Sequence, residues 1–234
     1  TDACGVDDTS AVIVVTPPPN VSFAADTVCV GETTSFFGFG SVKNDTTRTY
    51  VCDSTFTIDV PRGGDIVSYN WTMGGAGTWQ SGTSANSENP LYIYTDCGPK
   101  TVELLVIDEN GCDSLYTQTV IVWDLPHPSF SSDVVCEGSP TTIYENSTWS
   151  NMPPDSCQGH PIISWYWDFG DGNTDSVQNG TFNHLYPNNC DTSFTPTFYA
   201  VELIVVDSQG CRDTLPNTVE VVCQANADFN APDV

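Results

Sequence analysis

The residues with the most chemistry to offer are the cysteines. Ten occur in 234 residues, against two methionines. Eight of them recur by position: Cys29 with Cys136, Cys52 with Cys157, Cys97 with Cys190, and Cys112 with Cys211. Cysteines kept in step this way, with no CxxC pair, point to disulfides in an oxidising compartment rather than to a zinc ribbon or a redox motif. The acids come next. Thirty Asp and Glu stand against five Lys and Arg, a net charge of −25. Nucleic acid and anionic membrane need basic surface and are therefore poor partners. Catalytic chemistry is absent: His127, His160 and His184 have no partner spacing, and there is no Gly-x-Ser-x-Gly elbow, HExxH box or phosphate loop. The expected reading is not an enzyme.

The elements that position these residues are repeated. Thr27-Val28-Cys29-Val30-Gly31-Glu32 returns as Val134-Val135-Cys136-Glu137-Gly138-Ser139, and Ile66–Trp71 returns as Ile162–Trp167. Val102–Asp108 with Gly111-Cys112 returns as Val201–Asp207 with Gly210-Cys211. A period of about 100 residues is one small domain per repeat rather than a solenoid turn. Alternating, β-branched runs predict strands over Ala11–Thr16, Thr33–Phe39, Ile66–Trp71, Thr101–Asp108, Thr117–Trp123, Pro161–Trp167, Phe198–Asp207 and Thr218–Val222. No stretch carries a helical period, and no apolar run approaches membrane-spanning length. The predicted class is all-β, two tandem immunoglobulin-like β-sandwiches. Trp165, Trp167 and Phe169 share one strand face, as do Tyr69, Trp71 and Met73, and both sets belong to a core.

The ends echo the repeat too. Cys4 with Ser10–Val15 looks like a last strand, and Asn226–Phe229 looks like a first strand. The expected organisation is therefore 1–15, the end of a preceding repeat; 16–123, repeat 1; 124–223, repeat 2; and 224–234, the start of a following repeat. Short proline-bearing linkers at Thr16–Pro19 and Asp124–Pro126 predict semi-rigid junctions and an extended rod.

Trp167-Asp168-Phe169-Gly170-Asp171-Gly172 closely resembles the signature of the PKD (polycystic kidney disease) domain, a seven-stranded immunoglobulin-like sandwich. Tyr186 and the run Val201–Gly210 are similar to the family's later pattern. In repeat 1 the signature is degenerate: Asn70-Trp71-Thr72-Met73-Gly74-Gly75 has lost both aspartates, which argues that Asp168 and Asp171 make a local turn rather than a shared site. Both repeats carry a long insertion after the second strand, at 40–65 and 147–160, each with one cysteine. The Cys-x-Gly opening and Gly-Cys-x-Asp closing turn resemble PKD repeats in very large surface proteins of gliding bacteria. That resemblance implies type IX export and a role as adhesin or filament subunit.

Four cysteines per repeat allow three connectivities. In a PKD-type sandwich with strand ends alternating between its two poles, the expected pairs are Cys29–Cys97 and Cys52–Cys112, then Cys136–Cys190 and Cys157–Cys211. A Cys29–Cys112 bond would have to span roughly 20 Å of strand, beyond disulfide reach. Cys4 and Cys223 are left over, Cys223 as a candidate bridge to a next domain or a neighbouring chain. The resemblance also makes Asp108 and Asp207 candidate calcium ligands, with Asp65 and Asp155 in support. Calcium needs six to eight oxygens, and the plainer reading, an Asp fixing its own turn, is favoured. Asp-Ser/Thr triplets resemble the O-glycosylation pattern of the same bacterial group. They place candidate acceptors at Thr27, Thr46, Ser54, Ser114, Ser176 and Thr214, and turn chemistry at strand starts accounts for the same triplets equally well. Trp79 and Trp149 are expected in loops, covering an insertion or stacking on a sugar or partner.

The expected function is structural: a stalk or filament segment of a secreted cell-surface adhesin, lying outside the cell. Expected partners are neighbouring repeats of the same chain, further copies in a fibre or bundle, and an extracellular surface, glycan or other cell. The alternative is an accessory PKD module of a secreted hydrolase, docking a polysaccharide or protein.

Overall fold

The computed structural model describes residues 16–41, 48–52, 54–58, 64–80, 82–150, 157–176, 179–187 and 195–223. The expected flanking strands, Cys4, Thr46, Asp155 and Cys190 lie outside these residues, as do the side chains of Cys52 and Ser54. Regular structure among the described residues is entirely β, in five sheets. No helix among them is long and apolar enough to cross a membrane. The chain divides into two compact units. The first is 1–27, 31–96 and 100–120; the second is 28–30, 97–99 and 121–234.

In the first unit β1 (Asn20–Ala25), β3 (Thr33–Ser41), β7 (Gly77–Trp79) and β8 (Leu91–Tyr94) form one sheet in the order β1-β3-β8-β7. A second sheet runs β2-β10-β9-β6, from β2 (Val28–Cys29), which is assigned to the second unit, β6 (Ile66–Thr72), β9 (Gly98–Asp108) and β10 (Asp113–Trp123). Side chains alternate across each strand, and β9 buries Val102, Leu104 and Val106 completely. Trp71 is buried as well. Its ring meets Phe23 edge-on at 5.1 Å, and its indole N–H donates to the Ser87 carbonyl at 2.8 Å. Aromatic pairs in this geometry add about 0.5–1.5 kcal/mol beyond the area they bury.

The second unit repeats the plan. A three-stranded sheet, β11 (Phe130–Ser132), β13 (Thr141–Glu145) and β16 (Thr181–His184), has the order β11-β13-β16. A five-stranded sheet has the order β12-β18-β17-β14-β15, from β12 (Val135–Cys136), β14 (Ile162–Asp168), β15 (Thr174–Asp175), β17 (Thr197–Asp207) and β18 (Arg212–Val222). Phe130, Ile143, Trp167, Phe169, Leu203, Val205 and Val219 form its core, with Trp165 packed at the margin. The expected aromatic face of this strand is therefore the core face.

Three elements differ from the sequence expectation. The first insertion carries a hairpin, β4 (Arg48–Cys52) with β5 (Ser54–Ile58), rather than a loop. Trp79 is on strand β7, not in a loop, and meets Tyr92 edge-on at 4.9 Å. β18 begins at Arg212, six residues before the expected start, and runs through Pro216. Proline lacks the N–H that a strand paired on both sides would need. β18 pairs with β17 along its length but with β12 only at Val221 and Val222, so Pro216 faces no second strand.

Candidate functional site: the cysteine-bearing turns and the signature turn

The Asp-x-x-Gly turns are built by their own aspartates. Asp108 Oδ1 accepts the N–H groups of Asn110 at 2.9 Å and Cys112 at 2.8 Å. Asp207 Oδ1 accepts those of Gln209 and Cys211, each at 2.9 Å. Gly111 and Gly210 supply the left-handed conformation that each turn requires, at φ 78° and 89°. Asp108 Oδ2 also accepts the Gly64 N–H at 3.2 Å. Asp207 Oδ2 is buried with no hydrogen-bond partner. Asp65 reaches the first turn through its carbonyl, which accepts the Glu109 N–H at 2.9 Å, while its side chain is exposed. Among the described residues no three His, Cys, Asp or Glu side chains converge as metal ligands would. What these aspartates do in the structure is fix the turn and so set the position of the cysteine that ends it.

The cysteine pairing differs from the expectation. Cys29 is bonded to Cys211 and Cys97 to Cys157, with Cα atoms 5.6 and 4.9 Å apart. The expected Cys29–Cys97 and Cys157–Cys211 pairs therefore do not form. Cys112 and Cys136 are free thiols, so the expected bonds to Cys52 and Cys190 are absent as well. The reason lies in strand order. β2, which ends at Cys29, and β9, which starts just after Cys97, flank β10 on opposite sides. Two strand spacings are about 9.5 Å, and a disulfide requires Cα atoms within about 7 Å. All four bonded cysteines belong to the second compact unit, which takes Val28–Val30 and Cys97–Pro99 from the first sequence repeat. Cys223, which has no counterpart in repeat 1, is also disulfide-bonded.

The signature turn leads from β14 to β15. Asp168 Oδ1 accepts the Gly170 N–H at 2.9 Å, and Asp171 Oδ1 accepts the Asn173 N–H at 3.0 Å. Asp171 Oδ2 pairs with His184 Nε2 at 2.9 Å and accepts from the Asn173 side chain at 3.0 Å. The His184 ring stacks on Phe169 with centroids 3.9 Å apart. A sequence reading with no partner for His184 missed this pair because the two residues lie on different elements. Burial pushes the Asp171 carboxyl up, but the hydrogen bonds from His184 and Asn173 outweigh it and hold the group below the usual aspartate range. A depressed carboxylate stabilises the fold above its unfolded pKa of about 4 and loses that contribution as pH falls through its folded value. Asp171→Asn is therefore expected to cost about 1 kcal/mol at neutral pH and to flatten the acid limb. Melting curves from about pH 5 to pH 2 check this: wild type should lose melting temperature more steeply than the variant.

Of the candidate glycosylation sites, Thr27, Ser176 and Thr214 are exposed. Ser114 is half-buried and donates to the Pro19 carbonyl at 2.6 Å. Trp149 is 42% exposed, whereas Trp79 is held against Tyr92. His127 approaches Ser150 and Asp124, and His160 meets the Trp123 ring edge-on at 4.5 Å. An open recess of about 300 Å³ lies on the outer face of β14, lined by Tyr166, Asp168, Asp175, Ser176, Glu202 and Ile204. Three carboxylates beside a tyrosine ring suit a polyhydroxylated or cationic ligand better than an anionic one.

Residues 136–223 match the family model described as PKD domain. This stretch is similar to PKD domains. The match covers the β12–β18 sheet, the signature turn, the Asp171–His184 pair and the Asp207 turn. Among curated relatives, the pre-pro-metalloprotease PrtV of Vibrio cholerae serotype O1 is 26% identical over 161 residues. The alignment takes in 68% of this chain but 15% of that protein, so the chain spans a small part of its relative's length. Among solved structures, the PKD1 domain of Vibrio cholerae metalloprotease PrtV is 27% identical, covering 42% of this chain and 96% of its own, with a TM-score of 0.31. The PKD1 domain of Vibrio anguillarum Epp is 21% identical, covering 43% and 96%, with a TM-score of 0.32.

Proposed function

We propose that this chain is a non-catalytic, disulfide-joined run of PKD-type repeats serving as a structural segment of a longer secreted surface protein that mediates attachment. The observation that carries this reading is the covalent pattern. Cys29–Cys211 and Cys97–Cys157 each join a residue of the first sequence repeat to one of the second. Bonds of that kind tie segments far apart in the sequence into one covalent body, which a spacer or filament needs and an independent binding module does not. The aspartates best placed for chemistry are engaged in building turns. The net charge of −25 keeps such a chain soluble outside the cell. The resemblance to type IX-exported adhesins of gliding bacteria supports the same reading. Electron microscopy of the protein at micromolar concentration tests it: fibres or multi-chain bundles are expected, and dispersed single particles that bind a soluble glycan would overturn it.

The second reading is an accessory module that docks a hydrolase on its substrate. The likeness to metalloprotease PrtV favours it, and the recess at Tyr166 and the exposed Trp149 are the surfaces it would use. It requires glycan or protein-substrate binding that Tyr166→Ala or Trp149→Ala reduces at least tenfold.

A further inference from the structure

Among the described residues two thiols are free, and both sit at positions whose repeat counterparts are bonded. Cys136 ends β12 as Cys29 ends β2. Cys29 pairs in register with Trp123 and Cys136 with Val222, both in parallel with the last strand of their repeat. The next residue repeats the match, since Val30 N donates to the Trp123 carbonyl and Glu137 N to the Val222 carbonyl, each at 2.9 Å. Cys112 ends its turn as Cys211 does. Asp108 N donates to the Cys112 carbonyl at 3.0 Å and Asp207 N to the Cys211 carbonyl at 2.9 Å, and the aspartate side chains accept the two cysteine N–H groups in the same way. Cys29 and Cys211 are the two halves of one bridge. Cys136 thus presents the first half of that bridge and Cys112 the second half, both unbonded.

We propose that Cys136 of one copy of this chain forms a disulfide with Cys112 of another, repeating the Cys29–Cys211 bond from copy to copy. The partner is a repeat of the same kind, recognised by a turn of the Asp108–Cys112 type. Cys136 is exposed, and Cys112 is half-buried with its sulfur 3.1 Å from Thr16 Oγ1. The polarity is fixed by the pattern: a cysteine after a short parallel strand meets a cysteine in a hairpin turn, never its own kind. As the Sγ–Sγ bond forms, the two thiols give up two protons and two electrons. A small disulfide of the oxidised-glutathione class accepts them, and its own S–S bond breaks to two thiols. This inference goes beyond the structural reading and holds equally for an accessory module, because it concerns only which cysteines join successive repeats.

The test uses two single variants of the full chain, Cys112→Ser and Cys136→Ser, neither of which touches an existing bridge. Each is incubated in an oxidised and reduced glutathione buffer, alone and as an equimolar mixture, and run on a non-reducing gel. The mixture should give a covalent dimer at least tenfold more abundant than either variant alone. Peptide mapping should find Cys136 of the Cys112→Ser chain joined to Cys112 of the Cys136→Ser chain. Wild type should give a ladder of higher species. Full alkylation of both thiols with no mixed dimer would overturn the proposal. So would Cys136–Cys136 dimers of the Cys112→Ser variant at the level of the mixture. Matching melting temperatures of both variants and wild type confirm that each outcome is read on folded protein.

Discussion

Replacing Cys29 and Cys211 together by alanine is expected to cost the second unit about 4 kcal/mol. The bond closes a loop across a sequence separation of 182 residues. The chain-entropy model gives roughly 5 kcal/mol for such a loop, at the upper end of measured disulfide contributions. The second bridge, Cys97–Cys157, is nested inside it and shortens the loop that the outer bond closes, which lowers the figure. At about 4 °C per kcal/mol for a domain of this size, the melting temperature should fall by roughly 15 °C. Scanning calorimetry of the oxidised proteins measures it directly. Cys112→Ala and Cys136→Ala, which break neither bridge within the chain, should each move it by less than about 3 °C. A double variant within that same small range would mean that Cys29 and Cys211 are not joined in solution.

The second large effect belongs to Gly170→Ala. Gly170 sits at φ 73°, and a Cβ placed there would lie 2.3 Å from the Ala200 carbonyl oxygen and 2.9 Å from its carbon and nitrogen. The left-handed conformation costs a side-chain-bearing residue about 1–2 kcal/mol, and forcing the turn off the β17 backbone adds about 1–3 kcal/mol. A loss of roughly 3 kcal/mol in urea unfolding is expected. Gly172→Ala separates the two contributions: its φ is 91°, but nothing lies within 4 Å of the added Cβ. It should cost only the conformational part, about 1 kcal/mol. Equal costs at the two positions would show that contact with Ala200 contributes nothing.

Gly170 also explains what the degenerate first repeat keeps. Gly74 occupies the same place, at φ 64°, and its Cβ would lie 2.1 Å from the Thr101 carbonyl oxygen. The aspartates of the signature bond within their own turn and to His184, so one repeat can lose them; the glycine faces backbone in both repeats and is retained. The sequence reading took the lost aspartates as a sign of a local turn, and the hydrogen bonds of Asp168 and Asp171 agree with it. The reading was also sound where periodicity speaks: β3, β6, β9, β14 and β17 start within three residues of their expected positions, and Trp71 and Trp167 are core. It failed on cysteine pairing for a reason inherent in repetition. When each repeat carries the same four cysteines, a bond within a repeat and a bond to the next repeat leave the same spacing. Only strand order, with β10 between Cys29 and the start of β9, separates the two, and strand order is set by pairing across distant segments. The Asp171–His184 pair was hidden for the same kind of reason, since 13 residues separate partners that meet only when β16 packs beside the signature turn.

The Cys29–Cys211 bond has one more consequence, for a chain pulled from its two ends. Under tension, unfolding normally pays out the whole polypeptide. Here the chain between the bridged cysteines, a sequence separation of 182, is a closed ring, and load passes from Cys29 to Cys211 through a single covalent link. About 600 Å of contour, at roughly 3.4 Å per residue, stays locked away even if every strand between them comes apart. Only a reductant releases that slack, so the extensibility of this segment is governed by the redox state of its surroundings rather than by the strength of its sheets.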